Sequence, residues 1–438
     1  LPYIGSYMRA NCKLFILFLV FAGRVESAQP DTGELHRLQT GLERMLNENI
    51  VSFWYPETLD PAGGFRLNHD SQGDWLGPAD KVLVVQARTV WFFSRLYNDG
   101  YGGEEHIEAA KHGFEFLRDK MWDPVFGGFF WAVDDAGQIA TRPHKHLYAQ
   151  SFALYALAEY VKATADTSAF DLAQDLFDLL DEKAHDVEYG GYQEWFLRNW
   201  QPGPQPGAYM ATPPGGKLMN THLHLMEALT AYYLVSGDER VRERLLELMF
   251  VQANAVVRKR LGVCTDKYQR DWTPILEPPH NRVSYGHDIE NVWLLIAAHN
   301  AAGLTNVPQR DLYRQLMDYA LKYGFDHEAG GFYSAGEFDA PADERQKIFW
   351  VQAEGMVAAL TMYRETGELK YWQAFVKTYD WVVERQADWA HGDWHAVIDE
   401  DGAMRGAKAG KWKSPYHNGR AVLESLRLLK KMRAEWQP

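Results

Sequence analysis

Asp123-Pro-Val-Phe-Gly-Gly-Phe129 decides how the rest of this 438-residue sequence is read. A carboxylate, a glycine pair and an aromatic residue make a tight turn followed by a short strand, because glycine accepts the positive-φ backbone that a sharp reversal needs. The same idea recurs at Asp60–Phe65, Asp186–Tyr192 and Asp326–Phe332, with weaker versions at Leu261–Val263 and His391–Trp394. The glycines at 63, 127, 190, 262, 330 and 392 lie 62 to 72 residues apart, which marks six copies of one supersecondary unit.

Between the turns the periodicity is helical. One helix per unit is apolar nearly all round: Ala87–Tyr97, Gln150–Ala163, Thr221–Val235, Ile289–Asn300, Gln352–Thr366 and Ala421–Arg433. A second is more amphipathic: Glu104–Lys120, Thr167–Leu180, Glu239–Arg258, Gln309–Tyr323 and Lys370–Arg385. The first set reads as buried and the second as half-exposed. Six α-hairpins with the leading helix Gly33–Trp54 completing the outer set predict an all-α fold, an (α/α)6 barrel, in a single domain over residues 29–438. An open solenoid of helix pairs is the alternative. The third unit carries an insertion, Gln201–Lys217, whose proline and glycine content predicts a surface loop near the barrel mouth.

Composition narrows the partners. Hydrophobic residues at 46% and charged residues at 24% describe an ordinary globular chain, while 16 Trp, 23 Tyr and 22 Phe exceed what a helical core usually needs. Aromatic side chains also stack on sugar rings. A net charge of −14 with no basic stripe argues against nucleic acid and suits a neutral small molecule. Arg9 and Lys13, the apolar run Leu14–Gly23 and Val25-Glu26-Ser27 have the layout of a signal peptide, so residues 1–28 are set apart and export to a periplasmic or secreted location is expected, with a cytoplasmic location if that leader does not function. Cys12 falls in the leader, which leaves Cys264 without a disulfide partner, and there is no paired-cysteine metal or redox motif. A monomer or weak dimer that does not engage the membrane once the leader is removed is expected.

Repeat phase picks out candidate site residues. Arg88, His287 and His417 each lie 25 residues after their unit's glycine, so a closed ring brings them to one mouth. Tyr148, Gln150, Trp350 and Glu354 are close to that phase, and His224 joins them once the insertion is discounted. Trp91, Trp293, Trp350 and Trp412 surround these polar groups, as in a concave ligand site. His224 with Glu227 and His287 with Glu290 are three apart and share a helix face, where a carboxylate can orient an imidazole for proton transfer. Such pairs also serve as helix-dipole partners, satisfied core groups or metal ligands.

Met219–Ala228 (MNTHLHLMEA), Tyr285–Glu290 (YGHDIE), Trp350–Gly355 (WVQAEG) and Trp412–Arg420 (WKSPYHNGR), together with Gln86–Trp91 and Lys145–Leu157, closely resemble the N-acylglucosamine 2-epimerase superfamily, and within it the cellobiose 2-epimerases. The resemblance runs from about Leu35 to Leu429 and implies the same (α/α)6 barrel. It implies that His287 and His417 are an acid/base pair inverting C2 of the reducing-end aldose of a β-1,4-linked disaccharide, cellobiose to glucosyl-mannose, through ring opening and a cis-enediolate. Arg88 and His224 would steady the oxygens at C1 and C2, and Glu290 would orient His287. Asn220, Tyr148 and Glu354 would bind hydroxyls, with Trp350 and Trp412 as sugar platforms. Gln86 departs from the asparagine often found two before the arginine. No cofactor and no metal are implied.

Other readings share parts of this pattern. Delivery of the proton to C1 would make an aldose–ketose isomerase acting on mannose or glucose, and mannobiose could replace cellobiose. A glycoside hydrolase would need two carboxylates flanking a glycosidic bond, and no motif here is built on such a pair. A non-catalytic sugar-binding protein would keep the tryptophans but have no use for opposed histidines.

Overall fold

The computed structural model of the chain describes residues 30–203 and 215–436. The expected leader therefore lies outside the described residues, as does the greater part of the proline-rich insertion. Among the described residues no helix is long and apolar enough to cross a membrane.

Twelve helices of twelve residues or more alternate between two rings among the described residues. The inner ring is α2 (Leu83–Asn98), α4 (Leu147–Thr164), α6 (Met219–Ser236), α8 (Tyr285–Ala301), α10 (Phe349–Thr366) and α12 (Tyr416–Trp436). The outer ring is α1 (Thr32–Arg44), α3 (Glu104–Phe116), α5 (Thr167–Lys183), α7 (Glu239–Phe250), α9 (Arg310–Tyr323) and α11 (Leu369–Trp381). Each inner helix touches both neighbours and α12 touches α2, so the ring closes and the open solenoid is excluded. Outer α1 packs on α12, as the expected completion of the outer set requires. In four outer helices the last turn widens into a π-helical segment, at Met45–Val51, Leu117–Met121, Val251–Ala255 and Val382–Gln386.

The glycine turns carry the hairpins that join the rings. Gly127 and Gly128 both have positive φ, and a Cβ on Gly128 would lie 2.5 Å from the Trp200 ring. The aromatic after each pair bridges back to the segment before the turn, Phe129 to Trp122, Tyr192 to His185 and Phe332 to Phe325. In three units a glutamine on the inner helix clamps the aromatic's backbone at both ends, while His222 accepts from Tyr192 N–H. Gln150 accepts from Phe129 N–H at 2.9 Å and donates to its carbonyl at 2.8 Å, and Gln86 and Gln352 do the same for Phe65 and Phe332. Gln86, the departure noted in the sequence, therefore serves the scaffold.

The turn aspartate meets a buried lysine in five units: Asp60–Lys81 at 2.9 Å, Asp123–Lys145 at 3.1 Å, Asp186–Lys217 at 3.0 Å, Asp326–Lys347 at 2.8 Å and Asp388–Lys408 at 2.9 Å. Each lysine also donates to a glycine carbonyl of its turn. A buried charge needs both a counter-ion and hydrogen bonds, and this arrangement supplies them.

The inner helices start two to five residues before the sequence expectation. The physical reason is an extra partner for the first N–H, which a helix cannot satisfy itself. Leu83 N–H donates to Trp131, Leu147 to Glu194, Met219 to Asp266, Tyr285 to Ser334 and Phe349 to Ala396, each acceptor belonging to the hairpin of the next unit. His287 and His417 consequently sit in the first helical turn.

Replacing Lys81 with methionine leaves Asp60 buried without its ion-pair partner. The expected loss of unfolding free energy is about 3 kcal/mol, measured by urea denaturation, and a loss under about 1 kcal/mol, typical of a surface pair, would contradict the role given to these ties.

Candidate active site

Because the inner helices share one polarity, their N-terminal turns form one mouth. A cavity of about 580 Å³ opens there, within the range of small-molecule sites. Arg88, Tyr148, Asn220, His224, His287, Glu290, Trp350, Trp412 and His417 line it, and Glu354 stands behind His417. All ten residues given a role by the resemblance thus come to one end of the barrel, whereas Gln150, Trp91 and Trp293 do not line the cavity: Gln150 holds the Phe129 backbone and Trp293 lies beneath the floor. One pairing also differs. No hydrogen bond joins His287 to Glu290 among the described residues; Glu290 instead accepts from Arg420 Nη2 at 2.8 Å. The carboxylate has a stronger partner within reach, and a guanidinium attracts it more than a neutral imidazole does.

Arg420, which the sequence reading left without a role, organises the floor. It is 1% exposed and ion-pairs with Glu227 on α6, Glu290 on α8 and Glu354 on α10, the last at 2.7 Å. Its guanidinium also lies over Trp293 at 4.7 Å and Tyr416 at 4.2 Å. Two of these carboxylates hold a histidine. Glu227 meets His224 Nδ1 at 3.0 Å and Glu354 meets His417 Nδ1 at 2.7 Å. Tyr416 OH donates to Glu227 at 2.6 Å, and Trp293 Nε1–H donates to Glu354 at 2.9 Å. An ionised carboxylate accepts from Nδ1–H, which leaves Nε2 of both rings free for a ligand.

Burial would raise Glu227, but Arg420 and the His224 bond bring its carboxyl down to about 2. Burial pushes Glu290 well above the usual carboxylate range, with Glu354 adding repulsion and Arg420 opposing. Glu354 is also raised by burial, against the pull of Arg420 and of its hydrogen bonds. Three carboxylates facing one guanidinium leave negative charge that can balance an imidazolium. Glu290, Glu354 and His417 bring three potential metal ligands within 4.8 Å of one another, but Arg420 already supplies a positive charge between the two carboxylates.

Burial favours the neutral form of all three histidines. Burial lowers His224 to about 4 despite Glu227. Burial, Arg88 and Arg420 lower His417 well below the ordinary histidine value. His287 is lowered by burial, with Asp266 and Glu354 opposing. Trp350 spans the space between the two candidate acid/base rings, 4.9 Å from His287 and 5.8 Å from His417 by centroid. On the opposite wall Arg88 donates to Tyr148 OH at 3.0 Å and lies over Phe152 at 4.0 Å, with its Nε buried and unbonded. Asn220 Oδ1 is likewise buried and unbonded. Buried polar atoms left open beside a cavity are available to a ligand's hydroxyls. The side chain of Trp412 is 37% exposed at the mouth.

At pH 6 an exposed histidine, with a value of about 6.5, is mostly protonated, whereas His224 at about 4 stays neutral. Since the folded-state value lies below the unfolded one, its contribution to stability is intact above about pH 6.5 and is lost as the pH falls toward about 4. Imidazole ¹⁵N NMR at pH 6 is expected to show His224 neutral, and an imidazolium signal for it would contradict this electrostatic account.

Comparison with known proteins agrees with this geometry. The profile of the N-acylglucosamine 2-epimerase (GlcNAc 2-epimerase) family matches residues 63–421. A cellobiose 2-epimerase of Dictyoglomus turgidum is 30% identical over 402 residues, spanning 90% of this chain and 99% of its own. A D-mannose isomerase of Marinomonas mediterranea is 24% identical over 393 residues, spanning 87% and 95%. The solved cellobiose 2-epimerase of Spirochaeta thermophila superposes with a TM-score of 0.81 at 30% identity, covering 92% of this chain and all of that one. The chain belongs to the N-acylglucosamine 2-epimerase family and is, within it, a carbohydrate isomerase most like the cellobiose 2-epimerases.

Proposed function

We propose that this enzyme inverts C2 of the reducing-end aldose of a β-1,4-linked disaccharide, converting cellobiose to glucosyl-mannose. The observation that carries the reading is a pair of imidazoles, half-buried His287 on α8 and buried His417 on α12, reaching one cavity from separate walls with Trp350 against both. An inversion at carbon needs a base on one face and an acid on the other, and one wall alone cannot supply both.

The ring opens, and one histidine, entering neutral, removes the proton from C2 of the open-chain aldose. The C–H electron pair becomes the C1=C2 bond of a cis-enediolate, and the carbonyl π pair moves onto O1 as negative charge. Arg88 and Nε2 of His224 lie on the opposite wall, suited to hold O1 and O2 while that charge exists. The opposite histidine, entering protonated, returns a proton to the other face of C2. Burial and the two arginines favour the neutral form of His417, so when it serves as the acid its proton is taken up from solvent before C2 is deprotonated, and Glu354 on Nδ1 supports the imidazolium. The two rings exchange protonation states in one turnover, solvent resets them, and the net reaction consumes no proton. Tyr148 and Asn220 are placed to bind hydroxyls, and exposed Trp412 offers a platform for the second sugar.

The mannose isomerase relative supports a second reading, in which the proton is returned to C1 and a ketose results. Incubation with cellobiose, mannobiose, glucose, mannose and N-acetylglucosamine in heavy water, followed by NMR, separates the two. Deuterium at C2 of an epimerised reducing end is expected; a ketose product points to isomerisation, and free monosaccharide from a disaccharide would sink both. His287→Ala and His417→Ala should each lower C2 exchange by about 10²- to 10⁴-fold, the range of a lost general acid or base, and full exchange in either variant would overturn the two-sided assignment.

A further inference from the structure

A second cavity, of about 640 Å³, lies among the C-terminal halves of the inner helices, at the barrel end opposite the mouth. Ala158, Ala231, Ala297 and Ala301 leave the space that larger side chains on α4, α6 and α8 would fill. Its inner end is closed by Glu227 and Trp293. Those two residues belong to the floor of the active site: Glu227 holds His224 Nδ1, and Trp293 donates to Glu354, which holds His417 Nδ1. A single layer of side chains thus separates the two cavities.

The outer rim is charged, and all but one of its cations are held in ion pairs. Arg95 pairs with Asp99 at 2.7 Å and Glu424 at 2.8 Å, and Arg427 pairs with Glu424 at 2.6 Å. Lys162 has Glu159 at 3.6 Å. Lys431, one helical turn beyond Arg427, forms no ion pair among the described residues, and repulsion from Arg427 together with burial lowers its ammonium from the usual lysine value. Apolar walls of alanine, leucine and tryptophan with one ammonium at the rim that is held in no ion pair, Glu424 and Glu435 acting on it only from a distance, complement a compact apolar body that carries one negative charge.

We infer that this cavity is a second ligand site, for a small amphiphilic anion, and that its occupancy reaches the active site through Glu227 and Trp293. The apolar body lies along Ala231, Leu294 and Ala297, and the anionic group meets Lys431. Because the sugar cavity lies on the other side of the floor, the two ligands do not compete. Binding at this cavity stands independently of the sugar assignment.

The test uses 4-phenylbutyrate and its uncharged amide as probes on the full-length enzyme, read by titration calorimetry and by imidazole NMR. Saturable binding of the carboxylate is expected, at least tenfold tighter than the amide, with shifted His224 and His417 resonances and no competition from cellobiose. Lys431→Gln, an exposed change remote from the sugar site, should remove the preference for the carboxylate while leaving basal C2 exchange unchanged. Ala231→Phe, which fills the cavity, should abolish binding of both probes. Absence of saturable binding at millimolar probe, equal affinity for carboxylate and amide in the unaltered enzyme, binding unchanged in Lys431→Gln, or displacement by cellobiose would each overturn the inference.

Discussion

One guanidinium against three carboxylates is the interaction on which the site depends. Arg420 leaves α12 and ion-pairs with glutamates from α6, α8 and α10, so four of the six inner helices are tied at a single buried point. A lone buried charge would cost several kcal/mol, and the three glutamates are tolerable in the barrel interior only because Arg420 and the donors of Tyr416 and Trp293 meet them. The scaffold that presents this point is built by a different repeated device, the lysine ties that hold five of the six glycine turns, joined by glutamine clamps in three.

Holding the carboxylates also fixes what the histidines can do. Glu227 and Glu354 take the Nδ1 side of His224 and His417, which leaves Nε2 of each for the cavity. His287 lacks such a tie among the described residues and lies tilted against Trp350, 4.9 Å between ring centroids. The two candidate acid/base groups are therefore unlike each other: His417 has a carboxylate bonded to its Nδ1, whereas Asp266 and Glu354 act on His287 only from a distance. That asymmetry suits a proposed reaction in which a proton leaves one face of a carbon and another arrives at the opposite face.

The sequence carried the architecture because its turns repeat locally. Asp123-Pro-Val-Phe-Gly-Gly-Phe129 and its relatives contain their own structural reason, and glycine phase placed Arg88, His287 and His417 at one mouth before any contact was known. Other features depend on partners far apart in the chain. The turn lysines follow their aspartates by 20 to 22 residues in four units, and by 31 in the unit with the insertion, so this spacing was legible, but that the two ends meet as buried ion pairs shows only once the hairpins fold. Arg420 lies 193, 130 and 66 residues from its three glutamates, and its role is invisible until the ring closes. The same lack of three-dimensional context made Glu290 look like the partner of His287: the i, i+3 spacing is right, but an arginine from another wall reaches the carboxylate. The clamping role of Gln86 is legible only once the Phe65 strand is seen to lie against it.

The central claim is that two imidazoles held on different walls face opposite sides of one substrate carbon. A crystal structure with cellobiitol, the open-chain alcohol of cellobiose, tests this directly. The account predicts C2 of the reduced unit between His287 and His417, one ring on each face, with O1 and O2 within about 3 Å of Arg88 and His224. Both imidazoles on the same face of C2, or C2 beyond the reach of either ring, would contradict it.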